Sequence, residues 1–191
     1  MLTKKEIEQI LIDSNALLTG HFVLTSGKHS RNYIQCAKIL ENPRCSEILA
    51  KELAGMLSDV NADIVIGPAM GGIIISYELA RQLSAKSMFA ERAEGKMVLR
   101  RGFDEAVKGK DVIVAEDVVT TGGSVKEVID AVTANGGIVK AVAAIVDRSD
   151  NTVDFGVTYA SVYSANFETY DSEKCPLCKE GDTAVKPGSR I

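Results

Sequence analysis

From residue 62 onward, short apolar runs rich in β-branched residues alternate with amphipathic helical patterns. The runs cover 64–66, 112–115 and 139–146, and apolar residues at helical spacing follow the first two, over 73–83 and 125–134. This alternation predicts the α/β class, with a mostly parallel sheet flanked by helices. Because such sheets bind ligands at the carboxyl ends of their strands, the segments that follow the strands are the first candidates for a site.

The N-terminal part has a different organisation. Thr3 and Glu6 have capping-box spacing, and the apolar pattern after them predicts a helix over roughly 4–18. A short hairpin around Gly27 is predicted over 22–35, and a second helix over 44–58. We therefore predict one domain over 1–191, with a core of about 44–165 and a small hood formed by about 1–40 together with the C-terminal tail.

Composition limits the partners. The 191 residues carry 22 Lys and Arg against 26 Asp and Glu, a formal net charge of −4. A weakly acidic chain has no overall attraction for nucleic acid or an anionic membrane, so any phosphate binding must be local. No apolar run approaches the roughly 20 residues needed to cross a bilayer, and the first residues lack the apolar core of a signal peptide. We expect a cytoplasmic protein without nucleic-acid or membrane partners.

The segment that follows the run 112–115 carries the strongest chemical signal. It begins with two carboxylates, Glu116 and Asp117, and continues with a hydroxyl- and glycine-rich turn that opens a helix: Thr120, Thr121, Gly122, Gly123 and Ser124. Such a turn aims N–H groups and a helix N-terminus at an anion, which predicts a phosphate cradle. A capping box between Ser124 and Glu127 would explain part of the pattern but not the acidic pair. Carboxylates beside a phosphate suit a ligand that also carries hydroxyls, as a sugar phosphate does.

Neither a P-loop nor a dinucleotide-binding glycine pattern occurs here. Residues 112–124 instead resemble the phosphoribosyl pyrophosphate (PRPP) signature of the type I phosphoribosyltransferases. Further similarity over 22–30, 66–69 and 147–148 indicates the orotate phosphoribosyltransferases within that family. The resemblance implies the type I phosphoribosyltransferase fold with an N-terminal hood that recognises the base.

The resemblance also implies a reaction. The 5-phosphoribosyl group passes from PRPP to orotate, giving orotidine 5′-monophosphate and pyrophosphate in de novo pyrimidine (UMP) biosynthesis. The cofactor is Mg²⁺, carried by PRPP without direct protein ligands. In this family the bond from ribose C1 to pyrophosphate breaks early, so the protein positions the partners and neutralises the leaving group.

Each residue that matches the family pattern acquires an implied role. Glu116 and Asp117 would hold the ribose hydroxyls, and the implied PRPP-binding set is Glu116, Asp117, Val118, Val119, Thr120, Thr121, Gly122, Gly123, Ser124, Arg92 and Lys96. Orotate would be bound by Thr120, Arg148, Lys28 and Tyr33. The implied catalytic residues are Lys96, Arg92 and Asp117. Alternatives remain: Arg148 could be a surface arginine paired with Asp147 or Asp150, and Tyr33 could be an ordinary core tyrosine.

Residues 91–103 form a predominantly basic segment with glycines at Gly95 and Gly102. The resemblance implies that this segment is a flexible catalytic loop, which closes over pyrophosphate in the neighbouring subunit of a homodimer. Ala93 and Val98 stand where better-known members have Lys and His, and Arg100 and Arg101 could replace the lost charge. The alternative is a solvated hairpin without a catalytic role.

Cys175 and Cys178 are spaced as one half of a zinc ligand set. No second Cys-x-x-Cys or His pair follows, and Cys36 and Cys45 lie far upstream. The pattern favours a structural turn in the tail and leaves metal binding open. His21 and His29 lack the residue pattern of a catalytic triad, although the hairpin could bring His29 near the active-site rim.

Two other functions compete with this interpretation. A purine or uracil phosphoribosyltransferase would share the PRPP signature, but Ser26, Gly27 and Lys28 together with Arg148 suit an anionic base better. A regulator could retain the ribose phosphate pocket as a sensor. Such a protein would usually add a DNA-binding segment, whereas here one domain uses the whole chain and the net charge is negative.

Overall fold

The computed structural model of the chain describes residues 1–24, 26–150 and 152–187. In chain order, its helices and strands are α1 (Lys4–Asp13), β1 (Leu17–Val23), β2 (His29–Ile34), α2 (Cys36–Leu40), α3 (Pro43–Met56), β3 (Ile64–Pro68), α4 (Gly71–Leu83), β4 (Lys86–Ala93), β5 (Lys96–Val98), α5 (Phe103–Ala106), β6 (Asp111–Val119), α6 (Gly123–Ala134), β7 (Ile138–Asp147), β8 (Thr158–Ser164), β9 (Thr169–Tyr170) and α7 (Pro176–Lys179).

The first helix has the predicted start but ends earlier than predicted. Its capping box is present, since the Glu6 N–H donates to Thr3 Oγ1 over 3.3 Å and the Thr3 N–H donates to Glu6 Oε2 over 2.7 Å. Beyond Asp13 the chain turns at Asn15, which has a φ of 54°. Leu17 and Leu18, predicted on the helix, instead begin β1. The prediction of a helix to residue 18 is therefore wrong in its last turn.

The larger sheet has six strands in the order β5-β4-β3-β6-β7-β8. All neighbouring pairs are parallel except β4 with β5, which confirms the predicted α/β class and mostly parallel sheet. The order places β3, β6 and β7 side by side. The polar segments that follow these strands consequently lie along one edge of the sheet, as predicted.

Apolar side chains alternate between the two faces of this sheet. On β6, Ile113 and Ala115 face a core formed with α1 to α4, whereas Val112 and Val114 face a second core formed with α6. Burial on both faces explains why the strands read as continuous apolar runs in the sequence. None of the helices in the described ranges has the length and apolar character needed to cross a membrane.

A smaller antiparallel sheet has the order β1-β2-β9. It joins both ends of the chain, because β9 pairs with β2 and Val185 pairs with Phe22 in a parallel bridge. The backbone hydrogen bonds of that bridge run from the Val23 N–H to the Val185 carbonyl and from the Val185 N–H to the His21 carbonyl, each over 2.8 Å.

Candidate active site

Glu116 and Asp117 lie near the carboxyl end of β6. The alternation of the strand sends Glu116 to the α6 side, where it lines a small cavity with residues 118–125. Burial, reinforced by the adjacent Asp117 charge, raises the pKa of Glu116 to about 9. Burial also raises the pKa of Asp117 above its ordinary value. Since no cation neutralises them within the described ranges, this pair is costly to ionise in the free protein.

Asp117 occupies the opposite side of the strand, against the turn between β3 and α4. A Cβ atom on Gly71 would lie 2.9 Å from Asp117 Oδ1, so the absence of a side chain at Gly71 makes room for the carboxylate. The Val118 N–H donates to Asp117 Oδ1 over 2.8 Å, and the thiol of Cys36 donates to the Asp117 carbonyl over 3.6 Å. The first contact orients the carboxylate and the second fixes its backbone, and no hydrogen bond reaches Oδ2 from the described part of the chain.

The turn from Thr120 to Ser124 forms an open N–H cradle. Gly122 has a φ of 73°, and a Cβ there would lie 2.7 Å from Val153 Cγ1, so only glycine fits. Helix α6 begins at Gly123 without a side-chain cap. Within the described part of the chain, the N–H groups of residues 121–125 have no hydrogen-bond partner. The cradle therefore presents several N–H donors and the positive end of a helix dipole to an anion.

The capping box considered for Ser124 and Glu127 does not form. Glu127 instead pairs with Arg92, whose Nη2 lies 2.8 Å from Glu127 Oε2. A structural cap consequently does not account for Ser124, and its hydroxyl stays available to the cradle.

Arg148 follows β7 and lines a cavity of about 330 Å³ beside the cradle. Its N–H donates to the Val119 carbonyl over 2.8 Å, which ties the ends of β6 and β7 together. The competing interpretation paired Arg148 with a neighbouring aspartate. However, Asp147 Oδ1 accepts from the Ser149 N–H over 2.7 Å, Asp150 Oδ1 accepts from Asn166 over 2.7 Å, and Arg148 forms no ion pair within the described ranges. Its guanidinium is free to bind an anion.

The cavity around Arg148 lies between the two sheets. Its lining comes from the small sheet and from the segments after β7 and β8: Leu24, Ser30, Asp150, Ala165, Asn166, Phe167 and Thr169. Ser30, Asn166 and Phe167 were not predicted as site residues from the sequence. The rule that ligands bind after parallel strands could have indicated the last two, because they directly follow β8.

Lys28 and Tyr33, both expected at orotate, do not line this cavity. Lys28 Nζ lies 3.9 Å from Asp171 Oδ1 at the surface, and the Tyr33 ring packs 5.7 Å from that of Phe22. The structure thus brings Arg148 and the cradle together but leaves these two residues aside. Thr25, which also falls in the matched hairpin segment, lies outside the described residues.

Most of the basic segment 91–103 is a hairpin, the alternative left open by the sequence. Strands β4 and β5 are joined by Glu94 and Gly95, whose φ angles of 50° and 83° suit a tight two-residue turn. Arg100 and Arg101 both approach Glu91, at 3.6 Å and 3.1 Å, within the same hairpin. Glu91 therefore offsets part of their combined charge in this conformation.

Lys96 lies on the outer side of the molecule. It lines a surface groove of about 420 Å³ with residues of α6 that include Glu127 and Asp130. This groove and the cradle cavity share no lining residue, so the chain does not bring Lys96 to its own cradle in this conformation. Arg92 is closer, because its partner Glu127 lies one turn into α6.

Comparison with known proteins defines the family. Residues 36–158 match the family model described as phosphoribosyl transferase domain. A curated relative named orotate phosphoribosyltransferase, from Thermoanaerobacter sp. (strain X514), is 57% identical over 189 residues, which cover 99% of each chain. The chain belongs to the orotate phosphoribosyltransferase family. The predicted family and fold are confirmed.

Two further comparisons agree with this assignment. The orotate phosphoribosyltransferase of Caldanaerobacter subterraneus subsp. tengcongensis is 53% identical over 189 residues, with 99% of both chains covered. Among solved structures, that of orotate phosphoribosyltransferase from Aeropyrum pernix is similar with a TM-score of 0.67 and 28% identity, covering 83% of this chain and 93% of that one.

Proposed function

We propose that the chain transfers the 5-phosphoribosyl group of PRPP to orotate, producing orotidine 5′-monophosphate and pyrophosphate for pyrimidine synthesis. The observation that carries this proposal is the acidic pair at the end of β6, next to an uncapped N–H cradle and to Arg148, which forms no ion pair among the described residues. The cradle, from Thr120 to Ser124, binds the 5′-phosphate, and Glu116 and Asp117 accept hydrogen bonds from the ribose hydroxyls. Membership of the orotate phosphoribosyltransferase family supports the same substrates.

Arg148 is the proposed anchor for the base. A planar guanidinium binds a carboxylate with two parallel hydrogen bonds, and orotate carries a carboxylate that neutral bases lack. The cavity of about 330 Å³ lies between the two sheets, which supports the division into a core and a base-recognising hood. Lys28 and Tyr33 reach the base in this proposal only if the hairpin that carries them closes toward Arg148. Thr120 lines the cradle cavity and follows Val119, whose carbonyl accepts from the Arg148 N–H.

Magnesium enters this proposal with PRPP. When bound, Mg²⁺ neutralises the diphosphate and so assists its departure. The chemistry of the site fits such a cation, because the carboxylates of Glu116 and Asp117 form no ion pair with any described residue and would gain a cation on binding the Mg²⁺–PRPP complex. The residues themselves act by holding the ribose and phosphate in line with the base.

We further propose a homodimer in which the segment 91–103 serves the partner's active site. An exposed apolar stripe on α4 supports association: Met70, Ile74 and Tyr77 are 83%, 48% and 65% exposed. Release of Arg92 from Glu127 costs little, because an ion pair with side chains 45% and 41% exposed contributes at most about 1 kcal/mol. The catalytic roles of Arg92 and Lys96 belong to that composite site. The proposed location is the cytoplasm.

The test is loss of orotate absorbance with purified protein, PRPP and Mg²⁺, with uracil, hypoxanthine and adenine in parallel. Turnover of orotate alone supports the reaction and the role of Arg148. Turnover of another base would retain the cradle assignment and refute the base assignment. Binding of PRPP without turnover of any base would favour the sensor function.

A further inference from the structure

Two histidines and two cysteines converge at the junction between the small sheet and the C-terminal segment. They are His21 on β1, His29 on β2, and Cys175 and Cys178 at α7, and one potential ligand atom of each lies within 4.8 Å of all the others. None of them belongs to the candidate active site. No second ligand pair follows Cys178 in the sequence. The pair that completes the set, His21 and His29, instead precedes it by about 150 residues.

Four of the six distances between ligand atoms in this cluster are close to those around a tetrahedral metal. His21 Nε2 lies 2.8 Å from His29 Nδ1, 3.4 Å from Cys175 Sγ and 3.7 Å from Cys178 Sγ, and Cys178 Sγ lies 3.3 Å from His29 Nδ1. Zinc bonds of about 2.0–2.1 Å to nitrogen and about 2.3 Å to sulfur place tetrahedral ligands roughly 3.3–3.8 Å apart. Of these four pairs, only the two nitrogens are closer, and a shift of about 0.5 Å would open them to the ideal spacing. The other two pairs lie within 4.8 Å.

Hydrogen bonds alone cannot satisfy all the polar atoms that meet at His21 Nε2. Its Nδ1 lies 3.1 Å from the Asp182 carbonyl, which can only accept, so Nδ1 carries the proton and Nε2 carries a single lone pair. Three groups approach that one lone pair, of which only one can donate to it. A metal ion satisfies all four groups at once, and the contact from Nδ1 to a carbonyl is the usual outer support of a metal-bound histidine.

Burial and charge also favour a metal. Cys175 is fully buried, and His21 and His29 are 4% and 8% exposed. Two thiolates and two neutral imidazoles around a divalent cation form a neutral unit, which a buried position accommodates. Cys178 is exposed and provides a route for entry of the ion. Among common metals, a tetrahedral set of two sulfurs and two nitrogens selects zinc.

We propose that His21, His29, Cys175 and Cys178 bind one structural Zn²⁺ ion that fastens the C-terminal segment to the small sheet. The site is closed, with four protein ligands and none left for a substrate. It clamps the two ends of the hairpin loop that carries Lys28, because His21 and His29 flank that loop on β1 and β2. Since the ligands come from segments far apart in sequence, binding adds directly to folding stability.

The first test is elemental analysis of protein purified without an affinity tag and under reducing conditions. We expect one zinc per chain in the wild type, none in the double variant Cys175→Ser/Cys178→Ser, and one in the control Cys45→Ser, whose thiol is outside the cluster. Stripping the wild type with a chelator should lower Tm by about 5 °C or more, and Zn²⁺ should restore it.

The second test needs no variant and so remains decisive if the serine variant fails to fold. Wild-type protein stripped of metal and loaded with Co²⁺ should show the intense visible bands of tetrahedral cobalt and thiolate-to-cobalt charge transfer. Wild type that holds no stoichiometric zinc and gives only the weak spectrum of octahedral Co²⁺ would overturn the proposal. Retention of zinc by the double serine variant would also overturn it, because the metal would then lie elsewhere.

Discussion

At the scale of single residues, Glu116 and Asp117 lie where burial disfavours the ionised form of a carboxyl group. Burial raises the pKa of both carboxyl groups, and the adjacent Asp117 makes Glu116 still harder to ionise. A fold selected for stability alone would place apolar side chains there, as it does at Val112 to Ala115 on the same strand. Acidic side chains at this position are therefore best explained by the ligand that they bind.

Asp117→Asn should reduce kcat/KM for PRPP by about a hundredfold, because it removes a charged acceptor without changing the shape of the side chain. The circular dichroism spectrum should stay unchanged, since an amide of the same shape fills the half-buried position of the carboxylate. Asp59→Asn, at an exposed position after α3, is the matched control and should keep full activity. Activity of Asp117→Asn near that of wild type would show that Asp117 does not hold the ribose.

Glu116→Gln should stabilise the ligand-free protein in a pH-dependent manner. The folded state raises the pKa from 4.5 to about 9, so it binds a proton more tightly than the unfolded chain and loses stability as pH rises between these values. Glutamine cannot ionise and resembles the protonated form. Thermal unfolding should therefore give similar Tm values for variant and wild type near pH 4.5, and a higher Tm for the variant at pH 9. A difference that is constant with pH would contradict the assignment.

At the scale of secondary-structure elements, the hairpin β4–β5 carries the cations that the cradle lacks. Lys96 is exposed directly after the two-residue turn, so shortening its side chain creates no cavity in the core. Lys96→Ala should lower kcat by about a hundredfold and leave KM for orotate within about twofold, as expected for a contact made mainly in the transition state. Steady-state kinetics would test this. Lys86→Ala, exposed at the other end of β4, is the control. A change confined to KM for orotate would refute the role.

Elements with local signals could be predicted from the sequence, and those decided by distant pairing could not. The strands β3, β6 and β7 were predictable because burial on both faces makes them continuous apolar runs. Leu17 and Leu18 fit the period of α1, but pairing with Ile34 and Tyr33 places them in β1. In the same way, Glu116 to Ser124 form a local pattern, whereas Ser30 and Phe167 meet Arg148 only through the packing of the two sheets.

At the scale of the whole molecule, both ends of the chain meet in the small sheet. His21 and His29 are separated from Cys175 and Cys178 by most of the sequence, so the spacing of either pair alone could not reveal a four-ligand cluster. As a result, the C-terminal segment pairs with the small sheet, and this sheet lines one side of the Arg148 cavity. The proposed base site and the C-terminal segment thereby belong to one structural unit.

If the active site is shared between two chains, two inactive variants should complement each other in a mixed dimer. In a twofold dimer, a mixed pair of Lys96→Ala and Asp117→Asn chains has one site with both substitutions and one site with neither. Mixing the two variants in equal amounts after reversible dissociation, or producing them together, should therefore restore about a quarter of wild-type activity, because half of the random dimers are mixed and each has one intact site.

The control for that experiment adds Ile74→Glu to both chains. A charge in the apolar stripe of α4 should prevent association, so light scattering should report monomers and the mixture should stay inactive. The contrary outcome concerns the mixture of Lys96→Ala and Asp117→Asn chains without Ile74→Glu. If mass measurement shows that these chains form dimers and the mixture still has only the mean activity of the two variants, Lys96 acts within its own chain. The hairpin would then have to fold back over its own cradle, across the α6 surface where Arg92 now binds Glu127.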